Sequence, residues 1–137
     1  MIQSKKNIVI IDANVILRYL LSDINELYEK SKIFFGEVSK GNIKAYISHA
    51  VLAEVVYVLI KVYKIGRSEV SSVLVEFISQ KSIIIEDKDI IIESLDIFSN
   101  SNCDYVDCIL CSYSKKYKVF SFDKDVTKFA GKNIFSI

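Results

Sequence analysis

Proline and tryptophan are absent from this 137-residue chain, and glycine occurs only four times. No linker, repeat or low-complexity segment is present, so one continuous domain over residues 1–137 is expected. Cysteine is scarce too. Three is an odd number, which suits a reduced, cytoplasmic protein better than a disulfide framework. The lone histidine, His49, stands beside Ser48 with no obvious nucleophile, which argues against His-based catalysis. The lack of a phosphate-cradling glycine loop argues against nucleotide binding of the P-loop or dinucleotide kind. No apolar run reaches the roughly 18 residues of a membrane span. The longest, Ile47 to Ile60, is broken by Ser48, His49 and Glu54. Lys5 and Lys6 precede an apolar run at the amino terminus, but Asp12 cuts it short and no small-residue cleavage site follows. A signal peptide is therefore not expected. A charge excess is also missing. The formal net charge is +1, so local patches, not an overall field, must decide whether nucleic acid binds.

What is present is enough apolar material to fold: 51% hydrophobic residues against 26% charged. Asn7 to Ile11 is a β-branched run ending at Asp12, and it reads as a strand buried on both faces, the habit of parallel sheets. A helix follows over Asn14 to Leu21. A second runs from a cap at Asn25 to about Lys40 and closes at Gly41. Ala45 to Ile47 is a short strand. Ser48 can cap a long helix over Ala50 to Lys64, ended by Gly66, and Ser68 begins another that runs to Gln80. Ser82 to Glu86 is again β-branched. Asp87 can cap a helix through Phe98, and Asp104 to Lys116 is helical. Lys118 to Phe122 and Asn133 to Ser136 read as strands flanking a short helix. Strands alternating with helices predict a three-layer α/β/α sandwich around a central, mostly parallel sheet.

In such sheets ligands bind beyond the carboxyl ends of the strands. Asp12 follows the first strand, and Asp123 and Asp125 follow Lys118 to Phe122, so the pattern predicts them on one edge. Each could equally be a helix cap. Glu54 is the sole charge in Ala50 to Ile60, where burial would demand a partner. Alternatively, Glu54, Tyr57 and Lys61 share one helical stripe and could mark a narrow solvent face. Asp104 and Asp107 lie one helical turn apart, with Asp104 also placed to cap. Asp107 is flanked by Val106, Cys108, Ile109 and Leu110. Carboxylates that converge repel one another, and a divalent cation relieves this. Oxygen-only ligands favour magnesium or manganese over zinc.

Ile11-Asp12-Ala13-Asn14, Ala53-Glu54, Asp104-Tyr105-Val106-Asp107-Cys108-Ile109-Leu110 and Ser121-Phe122-Asp123-Lys124-Asp125 together resemble the four acidic motifs of PIN domains, in order and over essentially the whole chain. The match is closest to VapC-type toxins of type II toxin–antitoxin systems. The resemblance implies a PIN-like fold and a Mg2+-dependent endoribonuclease, with Mn2+ as a substitute. Asp12 and Asp107 match its central metal ligands, and Glu54 and Asp123 the other two acids of the quartet. Asp104 and Asp125 are supporting acids, and Asn14 and Ser121 match polar positions around the metal site. It also implies an RNA substrate, a cognate antitoxin seated near the helices from Asn14 to Lys40, and a homodimer. Cys108 and Cys111 depart from the small residues common there, which affects packing more than chemistry.

An acidic centre repels RNA, so lysines near the motif are needed to attract it. Lys115, Lys116, Lys118, Lys124 and Lys128 are the candidates for positioning phosphates, with ordinary solvated surface as the alternative. Cys108-x-x-Cys111 formally suggests redox chemistry or a zinc site with Cys103. In an apolar helix interior, buried inert thiols are the better account. Two other functions compete. A phosphohydrolase acting on small phosphate esters would want a second Asp two residues after Asp12, where Asn14 stands. A non-catalytic PIN-like scaffold binding RNA or protein would need no acidic quartet.

Overall fold

The computed structural model describes residues 7–137. Lys5 and Lys6, the basic residues ahead of the first apolar run, lie outside the described residues. Strand β1 (Ile8–Ile10) leads into α1 (Ala13–Leu21) and α2 (Asn25–Ser39). Strand β2 (Lys44–Tyr46) precedes α3 (His49–Lys61) and α4 (Arg67–Ile78), and β3 (Ile83–Ile84) precedes α5 (Lys88–Ser99), α6 (Tyr105–Tyr113) and α7 (Lys124–Ala130). A 3-10 turn, Gly131–Asn133, follows α7. The three strands pair in parallel in the order β1-β2-β3, with Val9 opposite Ala45 and Ala45 opposite Ile83. Parallel neighbours need long crossovers, and two helices supply each one. The result is the expected α/β/α arrangement.

Capping residues set several helix starts. Ser48 accepts a hydrogen bond from the Val51 amide at 3.1 Å, a cap worth about 1 kcal/mol. Gly41, at φ +83°, closes the turn after α2 in a region where a side chain would be strained. The core gathers β-branched and leucine side chains from all layers: Ile16, Ile47, Leu52, Leu74, Ile83 and Leu95 are fully buried. Each contributes roughly 1.5–3 kcal/mol of apolar burial. Helix α5 packs against α4 and α6, and α1 against α2 and α3.

Several expectations are corrected. Asn25 is the first residue of α2 and caps nothing; Ile24 precedes it without a side-chain bond. Gly66 does not end α3. That helix stops at Lys61, Lys64 takes the left-handed conformation, and Gly66 instead precedes α4. Asp87 stands at the head of α5 but makes no capping bond there; it accepts from the Tyr113 hydroxyl at 2.6 Å. The strands expected at 118–122 and 133–136 reduce to one parallel bridge, Val119 with Ile134. Val119 donates to the Asn133 carbonyl and accepts from the Phe135 amide. Among the described residues no further strand is hydrogen-bonded beside β1. Ile10 is 75% exposed, and the two-sided burial expected of β1 does not occur.

Candidate functional site

The acids reach their places by different routes. Asp12 ends β1 and caps α1, its Oδ1 accepting from the Val15 amide at 3.2 Å. Asp123 caps α7 in the same way, its Oδ1 accepting from the Asp125 and Val126 amides at 2.9 and 3.0 Å. Ser121 steadies that loop by accepting from the Asp123 amide at 3.0 Å. Both strand-end aspartates are thus helix caps, and in each the cap occupies only Oδ1. Capping does not exclude a second role, because a carboxylate has about four acceptor sites.

Asp104 stands at the head of α6 without a side-chain capping bond. Its exposed carboxylate is free of the duty its position suggests. The first turn of α6 is itself anchored. Tyr105 is buried, its ring meets Phe98 edge-on at 5.7 Å, and its hydroxyl lies 2.7 Å from Ser94 Oγ. This anchoring fixes the direction of Asp107, one turn into the helix. Asp107 is half-buried and forms no ion pair among the described residues. Burial raises its carboxyl above the usual aspartate range, and the charges of Asp123, Asp104 and Asp125 raise it further. The structure therefore brings Asp104, Asp107, Asp123 and Asp125 into one electrostatic neighbourhood on α6 and α7.

Asp12 lines a separate groove of about 560 Å³ with Asn14, Arg18, Leu27 and Phe34. Glu54 is exposed, as are Tyr57 and Lys61. The stripe these three form is the solvent face of α3, so Glu54 needs no buried partner and the desolvation argument for it does not hold. Among the described residues, no three His, Cys, Asp or Glu side chains converge closely enough to hold one ion.

Between α3 and α6 lies a groove of about 530 Å³ bordered by Tyr57, Lys61, Arg67, Phe98, Asp104 and Asp107. Arg67 was not singled out from sequence, although it is one of only two arginines in the chain. Its Nε donates to the Phe98 carbonyl at 2.9 Å, a second nitrogen donates to the Cys103 carbonyl, and the guanidinium stacks 3.7 Å over the Phe98 ring. Acids and a fixed cation thus share one groove.

A family model for the PIN domain matches residues 9–132. The chain belongs to the PIN domain family. This PIN domain is also 27% identical over 128 residues to a VapC ribonuclease of Aquifex aeolicus (strain VF5), covering 91% of this chain and 94% of the relative. No solved structure matches it.

The remaining candidates divide. Lys115 pairs with Glu93, and Lys116 pairs with Asp89 at 2.9 Å, so both are tied to α5. Lys118, Lys124 and Lys128 are exposed and form no ion pair among the described residues. Cys108 and Cys111 are buried, Cys103 half-buried, and all three are free thiols. Burial pushes both Cys108 and Cys111 up to about 11, so they stay neutral and inert near pH 7. His49 Nε2 lies 2.8 Å from the Glu86 carbonyl, a bond in which the ring nitrogen must be the donor. No described helix is long and apolar enough to cross a membrane.

Proposed function

We propose that this PIN domain is a Mg2+-dependent endoribonuclease, the toxin of a type II toxin–antitoxin pair, acting in the cytoplasm as one domain over residues 1–137. The observation that carries the reading is Asp107. It is half-buried and without a cationic partner among the described residues, and three further carboxylates raise its pKa. Gathered negative charge of this kind suits a hard divalent cation, which prefers oxygen ligands. The likeness to a VapC ribonuclease supports RNA as the substrate; an antitoxin and a second copy of the chain are the partners this reading adds.

In this reading Asp12 and Asp107 hold the cation, and Glu54 and Asp123 complete the quartet. Asp104 and Asp125 support them, and Asn14 and Ser121 orient their neighbours. The donor chemistry fits Mg2+, with Mn2+ as a substitute, although the described arrangement does not bring three ligands to one point. When bound, the cation activates water and offsets charge on the phosphate. The chain's own contribution is positioning. The Asp12 and Asp123 caps engage only Oδ1 and leave Oδ2 without a capping bond, and the Tyr105 anchor holds the first turn of α6, which carries Asp107.

The direct test is cleavage of labelled RNAs with Mg2+, with chelator and Asp107→Asn controls. Cleavage that needs Mg2+ and fails in Asp107→Asn is expected. Undiminished cleavage by Asp107→Asn overturns the assignment. One observation favours a second reading, a non-catalytic RNA-binding scaffold: Glu54 is exposed on α3, and Asp12 lines a groove other than the one Asp107 borders. Binding of RNA with no cleavage under any divalent metal supports it.

A further inference from the structure

The extended segment after α6 turns its aromatic residues outward. Successive side chains of an extended chain face opposite ways. Here Val119 is buried and Ser121 half-buried, whereas Phe120 is 53% and Phe122 90% exposed. Phe135 joins them across the Val119–Ile134 bridge. The Phe120 ring lies 5.2 Å from Phe122 and 5.7 Å from Phe135, and Phe135 is itself 49% exposed. Single exposed apolar residues are ordinary, but three touching rings left in water mark a surface with a use.

The charge around them is concentrated. Residues 115–132 carry six lysines against two aspartates, in a chain of net charge +1. Lys115 and Lys116 pair with Glu93 and Asp89, which leaves Lys118, Lys124, Lys128 and Lys132 without an ion pair among the described residues. Lys118 leads into the segment. Lys124 and Lys128 are one turn apart on α7 and so share a face. Exposed rings beside unpaired cations match single-stranded nucleic acid: every base has a face that stacks, and the cations follow the phosphates. A second copy of this chain would instead set lysines against lysines. Phe122 directly precedes Asp123, so a base stacked there has its sugar-phosphate next to the acids.

We propose that Phe120, Phe122 and Phe135 form a stacking platform for single-stranded RNA, with Lys118, Lys124 and Lys128 holding its phosphates. The platform delivers unpaired nucleotides to Asp123, and in naming RNA it rests on the ribonuclease reading above.

The test is fluorescence anisotropy of the full chain with a labelled oligoadenylate of about 12 nucleotides, in chelator so that nothing is cut. Phe122→Ala is expected to weaken binding roughly tenfold or more, and Phe122→Tyr to retain it. The double variant Lys124→Gln, Lys128→Gln lowers the salt slope by about 1.4, two charges at ~0.7 each. The same oligomer made double-stranded binds more weakly, because its bases are not free to stack on protein. Equal affinity of wild type and Phe122→Ala, or a duplex bound as tightly as the single strand, overturns the platform. So does a Phe122→Ala variant that changes oligomeric state in sedimentation while binding RNA normally, since the rings would then be a self-interface. Adding Mg2+ afterwards separates the two readings. Binding that depends on Phe122 without cleavage keeps the platform and sinks the nuclease. Cleavage by Phe122→Ala at the wild-type KM does the reverse.

Discussion

The charge of Asp123, at the head of α7, adds to burial in raising the Asp107 carboxyl on α6 above its ordinary value. Asp123 meanwhile gives one oxygen to two α7 amides. One residue thus starts a helix and presses on the most perturbed carboxylate of the candidate site.

That relationship gives Asp107→Asn two expected effects of opposite value. Cleavage falls by a factor on the order of a hundred or more, because the carboxylate that would hold the cation is lost. Stability rises at neutral pH. A raised folded-state pKa means the protonated carboxyl favours folding below the unfolded value, and this contribution is lost as pH rises through the folded value. Removing the charge removes that loss. The gain in Tm should therefore be greatest at neutral pH and vanish below the ordinary aspartate value of 3.8. Thermal melts across pH measure it, and a Tm lowered at neutral pH would contradict it.

Cap and chemistry can be separated at Asp123. Asp123→Ala removes both, and loss of the cap costs about 0.5–2 kcal/mol. Asp123→Asn keeps a capping oxygen and removes the charge, so it should melt close to wild type yet cleave poorly. The same pair at Asp12, which caps α1 through Val15, should behave alike. Paired melting curves and RNA cleavage rates provide the check.

Arg67 should prove structural as well as electrostatic. Its fork binds two carbonyls and stacks on Phe98, a geometry lysine cannot reproduce. Arg67→Lys is expected to lose about 1–3 kcal/mol in urea unfolding, near the cost of hydrogen bonds to a charged group. An unchanged midpoint would mean the groove wall does not depend on it.

The thiols offer a test of packing. With Cys108 and Cys111 buried and pushed up to about 11, alkylation at pH 8 of the native protein should label Cys103 first. All three should react after denaturation. Intact-mass spectrometry counts the adducts, and rapid native labelling of Cys111 would show that α6 opens.

Chelation should abolish cleavage, and Mg2+ or Mn2+ should restore it. A cation held by the folded state also raises Tm in proportion to the logarithm of its concentration above Kd. Metal-insensitive melting in both wild type and Asp107→Asn would count against a cation at Asp107.

The order of elements was legible in the sequence because its signals are local. β-branched runs at Ile8–Ile10 and Ile83–Ile84 became strands, and Ser48 capped α3 through a residue three positions on. The acids at Asp12 and Asp123 were also legible as the residues between an extended segment and a helix. Which acids meet was not. Glu54 sits among apolar neighbours in the chain, yet the rotation of α3 about its own axis turns it to solvent. The alternation Val119-Phe120-Ser121-Phe122 marked an extended segment without saying which face would be covered.

The sequence by itself determined the alternating α/β order, the caps at Asp12, Ser48 and Asp123 and the inert character of the thiols, because each depends on neighbours within a turn or on simple burial. Only the tertiary structure decided that the charges of Asp123, Asp104 and Asp125 bear on Asp107. It also set Arg67 in the same groove as Asp104 and left the phenylalanines after α6 in water. These outcomes depend on the angles at which separate helices pack and on which strand finds a neighbour. Such long-range geometry is written in no single stretch of the chain.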